Sequence, residues 1–136
     1  MFRRREGVDK LRIITAIGNP ILNEKLKNNT DIKIVGKDIQ YQEGILEILE
    51  ENKDIDLLAL SNVLPGEWDF YKLINEIKKS NKKLEIVVFL HKKDENIENF
   101  LTSKNIYKIY YLNDYYFDKF LESFLVKKYD FMSRNY

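Results

Sequence analysis

Ser61 is the residue at which chemistry could begin. It closes an apolar run over residues 56–62, Asp-Leu-Leu-Ala-Leu-Ser-Asn, and is followed by Val-Leu-Pro-Gly. A serine hydroxyl can be esterified with phosphate, but it becomes a nucleophile only beside a base or a metal. His91, the single histidine, follows another apolar run and precedes Lys92 and Lys93. A lone imidazole supports neither nucleophilic nor metal chemistry, so a surface or capping role suits it better. Cysteine is absent, which removes thiolate nucleophiles and cysteine metal sites and fits a reducing interior. There is no Gly-x-Gly-x-x-Gly after a strand and no Walker lysine loop. Residues 16–20 read Ala-Ile-Gly-Asn-Pro where a phosphate loop rich in serine and threonine would stand. No catalytic residue, metal ligand or cofactor is expected.

Asn19, Ser61 and Asn62 remain as a possible ligand mouth. All three fall at the carboxyl ends of expected strands, where open α/β sheets bind ligands, and Asn19 precedes a helix whose amino end favours anions. The competing possibility is that Ser61 and Asn62 satisfy the backbone groups of their own loop.

At 136 residues, 44% hydrophobic and 33% charged, the chain fits one globular domain with a single core. Its formal net charge of +1 supplies no global field for nucleic acid or an anionic membrane. The lysine clusters at 78–83, 92–93 and 127–128 are interspersed with acidic residues and read as solvated faces. The basic start at 3–5 leads into polar residues, and no apolar run reaches membrane-spanning length, so a cytoplasmic protein is expected. The expected organisation is a flexible extension over 1–10, a domain over 11–127 and a tail over 128–136.

Strand and helix patterns alternate along that domain. Residues 11–17 form a β-branched run that ends at Gly18, Asn19 and Pro20; Asn19 can cap a helix, and Pro20 suits its first turn. A second strand is expected over 32–36, a helix carrying Ile45, Leu46, Ile48 and Leu49, and a third strand over 57–60. Phe70, Leu73, Ile74 and Ile77 fall at i, i+3, i+4 and i+7, the spacing of an amphipathic helix. Residues 84–90 are nearly all apolar, as expected of a central parallel strand covered on both faces. A helix with Ile97, Phe100 and Leu101, a strand over 106–112 and a helix over 116–127 complete the set. Such alternation with short connections calls for right-handed crossovers and a three-layer, doubly wound α/β domain on a parallel sheet.

Aromatic residues concentrate near the end of the chain. Phe117, Phe120 and Phe124 have core spacing, which leaves Tyr107, Tyr110, Tyr111, Tyr115 and Tyr116 as candidates for an interaction face. Tyrosine suits interfaces because it is apolar and also forms hydrogen bonds.

In order and spacing, residues 34–37, the helix after them and residues 56–66 resemble the receiver domain of bacterial response regulators. The resemblance covers roughly residues 11–126. It implies a flavodoxin- or CheY-like fold with five parallel strands in the order 2-1-3-4-5. It also implies a set of chemical positions, and this chain departs from each of them. The acidic pair that holds Mg²⁺ in the family falls on Ile17 and Gly18, and the phosphoacceptor aspartate on Ser61. The switch hydroxyl falls on Leu90 or His91, and the lysine on Leu112. The chain is therefore expected to be a non-enzymatic pseudo-receiver that cannot be phosphorylated and acts by docking or dimerisation. In receivers the fourth-helix, fifth-strand, fifth-helix face commonly does this, so it is the expected contact surface for a protein partner or a second copy. Within the family the chain looks most like the amino-terminal pseudo-receivers of ParA/MinD-type ATPases of pilus assembly and polar positioning.

Overall fold

The structure, a computed structural model, describes residues 10–113 and 118–120. The elements run β1 (Leu11–Ala16), α1 (Pro20–Lys27), β2 (Ile32–Ile34), α2 (Gln42–Glu51), β3 (Leu57–Ser61), α3 (Phe70–Ser80), β4 (Glu85–Leu90), α4 (Glu95–Ser103) and β5 (Ile109–Tyr111). All five strands are parallel, in the order β2-β1-β3-β4-β5. This is the expected doubly wound sheet. Residues 118–120 are helical, and the rest of the helix expected over 116–127 lies outside the described residues, as do Tyr115, Tyr116 and nearly all of both terminal segments.

The two-residue period of the strands divides the core between two layers. Ile13, Leu57, Ala59, Val87 and Phe89 face one side, where they pack with Leu22 and Leu26 of α1 and with Phe120. Ile14, Leu58, Leu60, Ile86, Val88 and Leu90 face the other, against α2, α3 and α4. The central strands β3 and β4 are buried almost throughout because both of their faces are covered.

Capping sets the helix starts. Asn19, Asp69 and Asp94 each accept a backbone N–H from the residue three positions on, which opens α1, α3 and α4. Pro20 occupies the first turn of α1, as its spacing predicts. Two strands are shorter than their apolar runs. β2 stops at Ile34 because Gly36 turns into the left-handed region at φ 74°, although the Val35 N–H still reaches Ile13 O. Ile106 is buried but precedes β5, since the turn through Asn105, at φ 63°, delays pairing with β4.

Candidate functional site

Parallel strands deliver their carboxyl ends to one rim of the sheet. The register there sets Ala16 beside Leu60, Ser61 beside Phe89 and Leu90 beside Tyr111. Ile17, Gly18, Ser61, Asn62, Leu90, His91 and Leu112 therefore share this rim.

Their side chains serve the fold. Ser61 is 1% exposed, and its Oγ accepts the Val63 N–H at 3.1 Å, which tightens the turn out of β3. Asn62 Oδ1 accepts the His91 N–H at 2.8 Å and so ties the β3–α3 loop to the end of β4. Asn19 Oδ1 caps α1 through the Leu22 N–H at 3.0 Å. Each oxygen of the candidate ligand mouth is thus engaged by a backbone amide, the arrangement expected of loop residues that satisfy main-chain donors. Leu90 is fully buried among the α2–α4 layer, and Leu112 packs against the opposite core. His91 is exposed.

Asp38, in the β2–α2 loop, was not singled out by the sequence and proves to be the carboxylate that binds the end of β1 at this rim. Its Oδ1 accepts the Ile17 N–H at 3.1 Å and its Oδ2 the Gly18 N–H at 2.8 Å. Gln40 Nε2 donates to the same Oδ2 at 3.0 Å, and the Ile39 N–H binds Thr15 O at 2.8 Å. The loop is held against the end of β1 by charge-assisted bonds. Gly18 itself has φ 65°, a conformation open to glycine and strained for a side chain.

These residues do not fit a magnesium ion. Mg²⁺ requires several hard oxygen ligands in near-octahedral array. Ile17 and Gly18 offer none from their side chains, and both oxygens of Asp38 are already bound to amides. Among the described residues, no group of three or more His, Cys, Asp or Glu side chains is arranged to hold a metal.

The expected aromatic face is only partly outward. Tyr107 is 66% exposed, with its hydroxyl donating to Asn105. Tyr110 instead stacks on Phe89, centroids 5.6 Å apart, and meets the edge of Phe120 at 5.8 Å. Tyr111 is half-buried, and its hydroxyl donates to Glu98 Oε2. The same carboxylate accepts both of its bonds from Lys93 Nζ, at 3.2 and 3.3 Å. The hydrogen bond from Tyr111 holds Glu98 below the ordinary carboxylate value; burial opposes it, and the hydrogen bond and charge of Lys93 add to the lowering. The hydrogen bond to Glu98 also raises the Tyr111 phenol, and burial and the negative charge of Glu98 push the same way. Lys93 is raised, first by its hydrogen bond to Glu98.

A second polar contact, also unseen in the sequence, fixes the loop after Ser61. Gln42, 4% exposed at the start of α2, donates through Nε2 to Trp68 O at 2.7 Å and accepts the Trp68 N–H on Oε1 at 3.0 Å. Gly66 lies so close that a Cβ there would stand 1.9 Å from Gln42 Oε1. Nothing in a one-dimensional pattern joins residues 24 or 26 positions apart; the crossover from β2 through α2 to β3 brings them together.

No protein-family profile matches the sequence, and no curated protein matches it. Solved structures do match. An RcsB response regulator from Salmonella typhimurium superposes with a TM-score of 0.73 at 20% identity, over 88% of this chain and 62% of that one. A LuxR-family response regulator from Aurantimonas sp. SI85-9A1 gives 0.67 at 14% identity, over 87% and 86%. The phosphorylated cyanobacterial phytochrome response regulator RcpA gives 0.65 at 18%, over 77% and 82%. The chain spans about half the length of two other RcsB chains, 52% of one and 54% of a second solved with DNA. The fold is that of a receiver domain, CheY-like in its strand order and layering.

Proposed function

We propose that this chain is a receiver-fold regulatory domain that acts by protein contact and carries no phosphoryl group. The observation behind this is Asp38: a carboxylate from the β2–α2 loop is spent on the Ile17 and Gly18 amides, the positions at which the receiver resemblance puts the metal-binding acids. The resemblance puts Ser61 at the acceptor position, Leu90 or His91 at the switch position and Leu112 at the lysine position, and the Ser61 oxygen is turned to its own loop. At the positions that the resemblance gives to the metal-binding acids and the lysine, this chain has Ile17, Gly18 and Leu112, whose side chains offer nothing to share a phosphoryl group's charge.

The contact surface assigned to the domain is the edge formed by α4, β5 and the helix that follows, with Tyr107 its exposed aromatic among the described residues. The specific form of the proposal is a pseudo-receiver that docks on or belongs to a ParA/MinD-type ATPase. It works in the cytoplasm and has no catalytic role of its own.

The test is incubation of the chain with acetyl phosphate and Mg²⁺, followed by intact mass, with a parallel calorimetric titration of Mg²⁺ alone. Unchanged mass and no binding heat are expected. A Mg²⁺-dependent gain of one phosphoryl group would refute the proposal.

A further inference from the structure

Two charged surfaces of opposite sign lie on the α2–α3–α4 layer. On α2, Glu43, Glu47, Glu50 and Glu51 fall at i, i+4, i+7 and i+8, so they form one stripe, and all four are exposed. The helix contains no lysine or arginine, and its last turn holds two glutamates where the helix dipole favours cations. None of the four has an ion pair among the described residues. Glu43 in the first turn suits the helix dipole, but the like charges at i, i+4 and the glutamates of the last turn oppose the helix in isolation, and the apolar face of α2 does not require them. Uncompensated local conflicts of this kind concentrate where a surface is used.

The opposite surface is a groove of about 710 Å³ between the later turns of α3 and the end of α4. Lys72, Lys78, Lys79, Lys82 and Lys104 line it, with Glu76 as its acidic residue. Glu76 pairs with Lys72 at 3.7 Å and Lys79 at 3.2 Å, while Lys78 and Lys82 have no acidic partner among the described residues. Within one chain the stripe and the groove are not joined by any ion pair among those residues.

We infer that the acidic stripe of α2 docks into the lysine groove of a second copy of this chain. The partner is chosen by charge complementarity: the chain carries both halves of the contact at a net charge of only +1. Both patches lie on the same helical layer, so a two-fold axis near α3 makes the contact twice and closes the assembly at a dimer. The groove adjoins the edge of α4 and β5 proposed above at Ser103, Lys104 and Asn105, but the lysines of α3 and the stripe of α2 lie outside that edge, and the test does not depend on phosphorylation chemistry.

Sedimentation of the full chain is the experiment. At about 0.01 M ionic strength, where the Debye length is about 30 Å, the mass is expected to be twice that of the monomer; at about 1 M, where it is about 3 Å, the mass halves. The variants Glu47→Lys/Glu50→Lys/Glu51→Lys and Lys78→Glu/Lys79→Glu/Lys82→Glu should each be monomeric at low salt, with the circular dichroism of the wild type. Mixed in equal amounts they should regain the dimer, because each then presents what the other needs on both patches. A monomeric wild type at low salt, assembly beyond a dimer, or a mixture of folded variants that stays monomeric would overturn the inference. So would a dimer that survives both variants but is lost with Tyr107→Ala, which would assign self-association to the other edge. Loss of the dimer on replacing Arg3, Arg4 and Arg5 by alanine, with the lysine variant still dimeric, would assign the stripe to those arginines and equally overturn it.

Discussion

Glu98 accepts from a phenol and an ammonium at once, and this makes its protonation a local determinant of stability. Its folded value lies below the ordinary 4.5, so its contribution is present above the unfolded value and is lost as the pH falls through the depressed folded one. Glu98→Gln should therefore flatten the fall in stability that the wild type shows below about pH 5, measured by urea unfolding across the acid range. Tyr111→Phe should let Glu98 titrate nearer its ordinary value, which a carboxyl-carbon NMR titration reads directly. At Asp38 the issue is satisfaction of donors. Asp38→Ala leaves the Ile17 and Gly18 amides without their acceptors and should cost about 1 kcal/mol in chemical denaturation, the low end for lost hydrogen bonds because Gly18 can still reach water. Asp38→Asn keeps one acceptor oxygen and should cost less. Neither contact was legible in the sequence. Asp38 looks like any polar loop residue, and Glu98 and Tyr111 are 13 positions apart on different elements.

Elements were far more legible than their connections. The i, i+3, i+4, i+7 spacing from Phe70 to Ile77 marks α3, and each of those four residues is buried. Asn19 and Pro20 mark the start of α1 with the cap they form. The nearly unbroken apolar run at 84–90 marks β4 as a central strand, and the sheet order puts it between β3 and β5. Strand ends were harder to see, because a left-handed residue can stop pairing while the apolar pattern continues, as at Gly36. The β3–α3 loop shows what pattern cannot supply. Its shape depends on Gln42, which shares the apolar face of α2 with Ile45 and Leu49 but is polar, so its type does not announce that it is buried. Gln42→Ala should strand the N–H and C=O of Trp68 and cost about 1–3 kcal/mol. Gly66→Ala should be destabilising in the same assay through the clash with the glutamine side chain, and combining the two should cost less than their sum, because they share one contact.

On the scale of the whole molecule, charge is balanced in total and divided in space. A formal charge of +1 conceals an acidic α2 and a basic groove on the same layer, and counting residues cannot reveal that separation. The lysines at 78–83 read as a solvated face in the sequence; α3 and α4 also gather several of them with Lys104 around one open concavity. Stability should respond to salt accordingly. At concentrations where the chain associates, added salt should lower the unfolding temperature as the partner is lost, while at high dilution the same salt should leave it unchanged or raise it by screening the repulsion along α2. Calorimetry at two protein concentrations separates these cases.

The bonds from Asp38 to the end of β1 carry one more implication. Asp38 pins the β2–α2 loop to the end of β1, so on the proposed reading the domain conveys no information through phosphorylation there. On that reading, control of the domain falls to whatever governs its contact with a partner.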